Sequence, residues 1–420
     1  MILSNVSVPL LGMVDTGVTG HLDSPVYLGA VAIGSMIFSF LYTGLNFLRM
    51  GTTGITAQSF GARDNDGLRV ALGQSVIVAV ALASFFLLLQ WPIGQLAMQL
   101  VGGSAATETS ALEYFHIRIW SAPGTLANMA LIGWFIGLQN ARIPLLIFLT
   151  VNLTNIALDL LFVLGFGMKV DGVALASVIA EYSGLVVGLT FAAKALRQRT
   201  GLWPVGRLTR WREYAAFFAV NSNLFIRTMA LMFTIAFVTA QGARMGEIIL
   251  AANAVLMNLQ NLTAFGLDGI AHAAEALVGK AIGEKRRESL IVAVRLSLKW
   301  SLIFALGFVV CYYFGGPLLV ALLTDLPDVR EAALRYLPWL IISPLISVWS
   351  FLYDGVYVGA TRAREMRNIM VISTVLVFLP AWYLLQGFGN DGLWGAFLLF
   401  LASRGIGMHI GYRRVVLPSL

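Results

Sequence analysis

Apolar runs of helical-span length recur along the whole chain, separated by short polar connections. Each run can cross the hydrocarbon core of a bilayer as an α-helix, which needs roughly 20 residues. Glycine-containing runs such as Val70 to Gln90 are typical of helices and not of the alternating strands of an outer-membrane barrel. With 58% hydrophobic and 12% charged residues, the composition predicts an all-α polytopic membrane protein. Twelve transmembrane helices are predicted at Ile2 to Leu22, Val26 to Ala57, Val70 to Gln90, Leu112 to Leu138, Ile143 to Gly165, Gly172 to Ala195, Tyr214 to Gln241, Glu247 to Ile270, Ile291 to Phe314, Ala332 to Gly359, Asn368 to Gln386 and Gly392 to Tyr412.

Positive charge alternates between successive connections and indicates the orientation of the chain. Arginine and lysine concentrate in the connections after predicted helices 2, 4, 6, 8 and 10, whereas the other connections are neutral or acidic. By the positive-inside rule, the basic connections and both termini face the cytoplasm of a bacterial inner (plasma) membrane. The net charge of +7 therefore matches anionic lipid of the inner leaflet, and we predict no nucleic-acid partner.

The sequence lacks the motifs of metal, nucleotide or covalent catalysis. Cys311 is the one cysteine, and the four histidines have no metal-ligand spacing; they are His21, His116, His272 and His409. There is no HExxH, P-loop, GxSxG or dinucleotide fingerprint. We predict a protein that is not an enzyme and that has no cofactor and no dedicated metal site.

An internal repeat relates the two halves of the chain by a shift of 222 residues. The shift holds without a gap from Gly20 to Arg142, and matched pairs include Gly44 with Gly266, Gly61 with Gly283, Gly133 with Gly355, Gly137 with Gly359 and Arg142 with Arg364. Six spans per half give both halves the same orientation, an arrangement typical of transporters. We predict a first lobe at residues 1–196, an arginine-rich cytoplasmic linker at 197–213 and a second lobe at 214–420.

An acidic residue interrupts the first predicted span. Asp15 lies in the stretch PLLGMVDTGVTGH, which is otherwise apolar enough to enter a bilayer. An ionisable residue at membrane depth normally faces a protein interior or a water-filled cavity, and this makes Asp15 a functional-site candidate. The alternative is a place in the headgroup layer, close to His21 and Asp23. The repeat puts Phe237 opposite Asp15, so the carboxylate belongs to the first half alone.

Three further polar residues are predicted at the depth of Asp15. Asn155 and Asp159 are four residues apart and so share one face of helix 5, and Ser177 lies at a similar depth on helix 6. Two carboxylates in a poorly hydrated cavity cannot both ionise cheaply, which suggests one proton moving on the pair Asp15 and Asp159. Two alternatives remain open: a structural hydrogen bond between helices, and Na⁺ binding by the oxygens of all four residues.

Other ionisable residues lie inside the predicted spans. Glu181, in the middle of helix 6, either extends the proton relay or pairs with a neighbouring helix. Asp268 and Glu275, in the inner half of helix 8, indicate a possible polar site in the second lobe. Arg227 and Asp354 lie towards the cytoplasmic ends of their helices, where snorkelling or an ion pair within one lobe is expected.

Seven segments, in order along nearly the whole chain, closely resemble the DinF branch of the multidrug and toxic compound extrusion (MATE) family. They read PLLGMVDTGVTGHL, FLRMGTTGITAQSFGA, NLTNIALDLLFVLG, DGVALASVIAEY, AANAVLM, LDGIAHAAEALVGKAIG and YDGVYVGATRAREMRN. The resemblance implies twelve helices in two six-helix lobes arranged as a V. It also implies that Asp15 is the carboxylate that is protonated, with Asn155, Asp159 and Ser177 as its hydrogen-bonding or ion-binding neighbours. Family members often have threonine where Ser177 stands.

The predicted function follows from the composition, the repeat and this resemblance. We predict a secondary active multidrug exporter that exchanges organic cations or amphipathic drugs for H⁺ by alternating access, with protonation of Asp15 driving substrate release. Sodium coupling at Asp15, Asn155, Asp159 and Ser177 is the alternative. A further alternative is a flippase for lipid-linked precursors, which a broad cationic groove would favour, whereas the predicted cavity is acidic. We expect a monomer in the lipid bilayer.

Overall fold

The computed structural model describes residues 24–101 and 104–419. Over these ranges the chain is helical, and no β-strand occurs in them. The α-helices are α1 Pro25–Leu45, α2 Phe47–Gly61, α3 Asn65–Leu88, α4 Gln90–Val101, α5 Ala105–Arg118, α6 Ala122–Gly137, α7 Arg142–Asp159, α8 Val170–Arg197, α9 Val205–Leu208, α10 Trp211–Arg244, α11 Glu247–Gly283, α12 Arg287–Leu323, α13 Pro327–Gly359, α14 Ala363–Ile372, α15 Leu379–Leu385 and α16 Asn390–Gly411. Short 3-10 or π-helical turns extend several of them, at Ile119–Ser121, Leu160–Gly165, Ser373–Phe378, Gln386–Phe388, Tyr412–Val416 and Leu417–Ser419.

The predicted all-α membrane architecture is confirmed. Within the described ranges, 11 helical segments are long and apolar enough to cross a membrane, and they correspond in order to predicted helices 2 to 12. The first predicted helix, residues 2–22, lies outside the described residues. Several of these spans are not one continuous α-helix. The segment from Val26 to Gly61 joins α1 and α2 at Asn46, and the segment from Arg142 to Gly165 ends in a π-helical turn after α7.

The two largest differences from the prediction are the length of α11 and the presence of α4. Helix α11 continues to Gly283, 13 residues beyond the predicted end at Ile270. Hydropathy identifies only the section of a helix that crosses the hydrocarbon core. The residues after Ile270 are good helix formers and continue the same helix beyond that section. The unpredicted helix α4 follows the third span, and its large apolar side chains, including Trp91 and Leu100, are exposed. It is too short to span a bilayer, which is why hydropathy missed it.

The chain divides into two compact units, with the division between Phe217 and Phe218 inside α10. In the first unit, Tyr114 and Phe115 of α5 are fully buried in an apolar core. In the second unit, Trp394 of α16 is the largest side chain of another core. The boundaries predicted for the lobes and the linker, at residues 196 and 214, stay a prediction.

Three pairs of residues with left-handed backbone obey the 222-residue shift. They are Arg63 and Lys285 (φ 57° and 56°), Gln139 and Thr361 (φ 64° and 54°), and Gly167 and Gly389 (φ 69° and 59°). A residue other than glycine seldom adopts a positive φ, so two such pairs in one register mark equivalent turns in the two units. The third pair carries the register beyond Arg142, where the matched sequence positions end.

Paired glycines bring helix backbones together at equivalent places in the two units. A Cβ atom added to Gly133 of α6 would overlap the carbonyl oxygen of Arg49 in α2. A Cβ atom added to Gly355 of α13 would overlap the carbonyl oxygen of Ala271 in α11 in the same way. Small residues allow this close approach of membrane helices. Gly355 and Ala271 lie 222 residues after Gly133 and Arg49, respectively. The repeat is therefore confirmed as the same helix contact in both units.

A buried arginine ties the start of the predicted linker to the first unit. The Arg69 side chain in α3 is 3% exposed. Its guanidinium donates hydrogen bonds to four backbone carbonyls, those of Asn65 (3.1 Å), Leu196 (3.3 Å), Arg199 (2.9 Å) and Thr200 (3.0 Å). Burial, together with the positive charge of Arg69, lowers the pKa of Arg199. Arg69 of α3 is therefore hydrogen-bonded to the last turn of α8, at Leu196, and to Arg199 and Thr200 beyond the end of that helix.

Candidate functional site

Three of the four residues predicted to form the coupling site are buried in the first unit. Asn155 and Asp159 lie one turn apart on α7, and Ser177 lies on the adjacent helix α8. Their side chains are 1%, 0% and 4% exposed. Asn155 Nδ2 donates a hydrogen bond to Ser177 Oγ at 3.2 Å. The structure thus brings Asn155 and Ser177 into direct contact, and places the Asp159 carboxylate one helical turn from Asn155 in the protein interior.

Asp15, the fourth predicted member, lies outside the described residues. Its role as the protonated carboxylate of the first lobe therefore stays a prediction. The residues that the resemblance makes its neighbours are buried together, which is the surrounding that an acidic group at membrane depth requires.

A residue that the sequence analysis missed, Arg118, belongs to the same cluster. It is the last residue of α5, and its Nη1 donates a hydrogen bond to Ser177 Oγ. Its Cζ atom lies 5.6 Å from the ring centroid of Phe38 and 5.7 Å from that of Tyr114. An arginine inside the predicted span Leu112 to Leu138 was a visible signal, because a charge inside a span needs a polar partner.

Glu181 extends this polar cluster along α8. It is half-buried and lies one helical turn after Ser177. Asn128 Nδ2 of α6 donates to Glu181 Oε2 at 3.0 Å and to the Glu181 carbonyl oxygen at 2.9 Å. The guanidinium of Arg118 also interacts electrostatically with Glu181. Glu181 therefore pairs with a neighbouring helix, one of the two predicted alternatives, while a part in a proton relay stays a prediction.

In the second unit, the residues of the predicted polar site lie on α11. Glu275 is 1% exposed and Asp268 is half-buried. Asp268 interacts electrostatically with Arg404 of α16. The structure thus brings Asp268 close to a charged cluster in the second unit, and a function for Asp268 and Glu275 stays a prediction.

That cluster is an ion-paired triad. Asp354 Oδ2 accepts a hydrogen bond from Arg404 Nη2 at 2.9 Å and another from Arg227 Nη2. All three residues are buried. Of the two alternatives for Arg227 and Asp354, the structure shows the ion pair within one lobe. Arg404 is not among the predicted site residues, although its charge inside the twelfth predicted span is a signal of a polar partner.

A second polar network of this unit consists of neutral side chains. Asn253 and Asn390 exchange two amide hydrogen bonds, at 2.7 and 2.9 Å. Trp394 Nε1 donates to the same Asn253 Oδ1 at 2.9 Å. The repeat puts Val31, Met168 and Gly172 at the matching positions of the first half. The network therefore joins α11 and α16 in the second unit alone.

The chemistry available in the first-unit cluster is that of proton or cation binding. It combines a fully buried carboxylate (Asp159) with the amide of Asn155 and the hydroxyl of Ser177, and these groups offer hard oxygen ligands. Among residues 24–101 and 104–419, no three His, Cys, Asp or Glu side chains come together as a metal site.

Comparison with known proteins identifies the family. A family model described as MatE matches residues 1–161 and matches again at residues 223–383. This chain belongs to the MatE family. Each bound of the second match lies 222 residues after the corresponding bound of the first, so the family match itself follows the internal repeat. As a MATE protein, the chain is a multi-pass membrane transporter for efflux and not an enzyme.

Two relatives illustrate the extent of this MATE similarity. The chain is 44% identical over 415 residues to DNA damage-inducible protein F of Escherichia coli (strain K12), covering 99% of this chain and 90% of the relative. It is 24% identical over 416 residues to the probable multidrug resistance protein NorM of Thermotoga maritima, covering 95% of this chain and 86% of the relative. The predicted DinF-type resemblance is thus confirmed.

The fold of this MATE protein is also that of solved MATE structures. A crystal structure of MATE in the bent conformation matches with a TM-score of 0.88 at 19% sequence identity, covering 100% of this chain and 94% of that one. The predicted fold class is confirmed by this agreement over the full length.

Proposed function

We propose that this MATE protein is a secondary active multidrug exporter that exchanges cationic or amphipathic compounds for protons by alternating access. In the proposed cycle, ionised Asp15 favours the substrate-bound state, and its protonation from the outside drives substrate release. The observation that carries the proposal is the burial of Asn155, Asp159 and Ser177 on the adjacent helices α7 and α8, with a hydrogen bond between Asn155 and Ser177.

The free-energy cost of burying a carboxylate supports a functional role for this cluster. A carboxylate such as that of Asp159 is expensive to place in a transmembrane helix and is retained mainly where ions or protons pass. If Asp15 lies beside it, the two carboxylates share one poorly hydrated space, and proton binding becomes favourable. Export then requires that the protonated and the substrate-bound protein favour different conformations.

The names of relatives support the choice of substrate class. NorM of Thermotoga maritima is described as a probable multidrug resistance protein. We propose that the present chain likewise transports drug-like organic cations. The acidic residues of the first unit would attract these cations electrostatically. We place the protein in a bacterial inner membrane with both termini in the cytoplasm, as a monomer of two lobes joined by residues 197–213.

A proteoliposome experiment tests the proposal. The purified full-length protein is reconstituted, and an acid lumen is imposed while uptake of a fluorescent organic cation is followed. We expect pH-driven uptake by the wild type and background uptake by Asp15→Asn, because the amide cannot take up and release a proton. The matched control is Asp325→Asn, whose carboxylate is fully exposed on a connection between spans and is expected to transport like the wild type.

Two outcomes would contradict the proposed function. One is pH-driven uptake by Asp15→Asn at the wild-type rate. The other is absence of uptake by the wild type under both a pH gradient and a sodium gradient, with well-folded protein in the vesicles.

A further inference from the structure

The hydroxyl oxygen of Ser177 has both of its acceptor positions engaged. One hydrogen bond comes from Asn155 Nδ2 at 3.2 Å and the other from a guanidinium N–H of Arg118. A hydroxyl oxygen has two lone pairs, and here both receive N–H donors. One of these donors must leave before Ser177 can become a ligand of a metal cation. This matters because Ser177 is one of the oxygens that a sodium ion at the coupling site would use.

Arg118 also brings a permanent positive charge to the site. An arginine side chain keeps its charge throughout the physiological pH range, so protonation chemistry cannot remove it. The guanidinium lies close to the rings of Phe38 and Tyr114, at 5.6 and 5.7 Å, and aromatic faces at this range stabilise a cation. Together with the hydrogen bond to Ser177, these contacts hold the charge in one position.

A proton and a sodium ion respond differently to such a fixed charge. A proton binds one carboxylate oxygen covalently and leaves a neutral acid that needs no further ligands. A sodium ion keeps its full charge and needs several oxygen ligands at once, as hard cations do. Near Arg118 the sodium ion would meet like-charge repulsion, strengthened by the low dielectric of the interior, and would find the Ser177 oxygen engaged.

We propose that Arg118 is a specificity-determining residue of the coupling site, which excludes Na⁺ from the surroundings of Ser177 and Asn155 and so makes H⁺ the coupling ion. The inference rests on the proposed antiport and adds its ion selectivity and the residue responsible. Arg118 acts as a tethered cation that takes the place a metal ion would need. Glu181, which interacts electrostatically with Arg118, compensates part of its charge.

The test compares two gradients and three proteins. Full-length wild type, Arg118→Gln and Arg118→Lys are reconstituted, and uptake of a fluorescent organic cation is measured under a pH gradient with equal Na⁺ on both sides. It is then measured under a Na⁺ gradient with pH clamped. Gln keeps a neutral N–H donor and removes the charge, whereas Lys keeps the charge. A second readout, the melting temperature of each detergent-solubilised protein in NaCl and in KCl at equal concentration, reports Na⁺ binding without transport.

We expect the wild type and Arg118→Lys to respond to the pH gradient alone and to melt at the same temperature in both salts. Arg118→Gln is expected to melt at a higher temperature in NaCl than in KCl, and to gain uptake under the Na⁺ gradient.

Three results would overturn the inference: wild-type uptake driven by Na⁺ at clamped pH, a wild-type melting temperature raised by Na⁺ over K⁺, or a monodisperse Arg118→Gln protein that does not distinguish the two salts. The first two results are measured on the wild type alone. They can therefore refute the inference even if Arg118→Gln does not fold. Wild-type protein that is inactive under both gradients contradicts the proposed antiport instead, and the melting comparison still decides whether Arg118 excludes Na⁺.

Discussion

Gly359 of α13 packs directly on the carbonyl oxygen of Glu275 in α11, and no space is left for a methyl group at position 359. The same relationship recurs in the first unit, where a Cβ atom on Gly137 of α6 would lie 2.9 Å from the carbonyl oxygen of Thr53 in α2. Both obstacles are backbone atoms, which cannot move aside as a flexible side chain can. These glycines therefore set how closely the paired helices approach.

Gly359→Ala should destabilise the protein by about 1–3 kcal/mol, because the added methyl group forces α11 and α13 apart. Gly307→Ala in α12 is the matched control, since a Cβ there meets no atom within 4 Å, and alanine at an open helix position is neutral or stabilising by up to about 1 kcal/mol. Unfolding of both variants in detergent, followed by helical circular dichroism, measures the difference. Equal stabilities of the two would show that the helix contact is not close-packed.

Asp354→Ala should lower the free energy of unfolding by roughly 3–5 kcal/mol, because it leaves the guanidiniums of Arg227 and Arg404 buried without their shared carboxylate. Asp325→Ala removes the carboxylate of an exposed ion pair with Arg330 and should leave the free energy of unfolding nearly unchanged. The same unfolding measurement applies. A loss of similar size in both variants would argue against a buried triad.

Arg69→Ala should loosen the segment that follows α8, because the backbone carbonyls of Leu196, Arg199 and Thr200 lose a charged donor, at about 1.5–3 kcal/mol per hydrogen bond to a charged group as an upper range. Limited trypsin digestion should cleave after the arginines of residues 197–213 several-fold faster than in the wild type. Arg142→Ala, which removes an exposed arginine of another connection, should leave this rate unchanged. Unaltered cleavage in Arg69→Ala would mean that other contacts hold the segment.

Ser177→Ala should reduce pH-driven uptake of an organic cation by roughly tenfold, because both Asn155 and Arg118 lose their common acceptor. Ser177→Thr keeps the hydroxyl and should transport within about twofold of the wild type. The proteoliposome assay with an acid lumen measures both. Full activity of Ser177→Ala would remove this hydroxyl from the coupling site.

The common depth of two predicted coupling residues could be predicted from the sequence. The distances of Asn155 and Ser177 from the ends of their predicted spans predict a common depth, and the structure joins the two side chains by a hydrogen bond. That inference succeeds because a transmembrane helix converts sequence position into depth at a constant rise. Depth alone does not determine which side of a helix faces a neighbour, so the sequence does not predict the contact between Arg118 and Ser177.

Local patterns in the sequence are sufficient to assign the membrane class, the order of the spans and the 222-residue repeat. Hydrophobicity and loop charge act locally, and each span satisfies its own backbone hydrogen bonds inside the membrane. A duplication leaves glycines at matched positions whether or not their partners are known, as with Gly133 and Gly355.

Which charged side chains contact each other depends on the packing of the helices. Arg227 and Asp354 are 127 residues apart in the chain, and Arg118 and Ser177 are 59 apart. Such pairs depend on which helices pack together and on how each is rotated about its axis. A charge buried in an apolar interior is stable only beside a polar partner. Helix packing determines those partners for Arg118 and Arg404, and hydropathy cannot predict them.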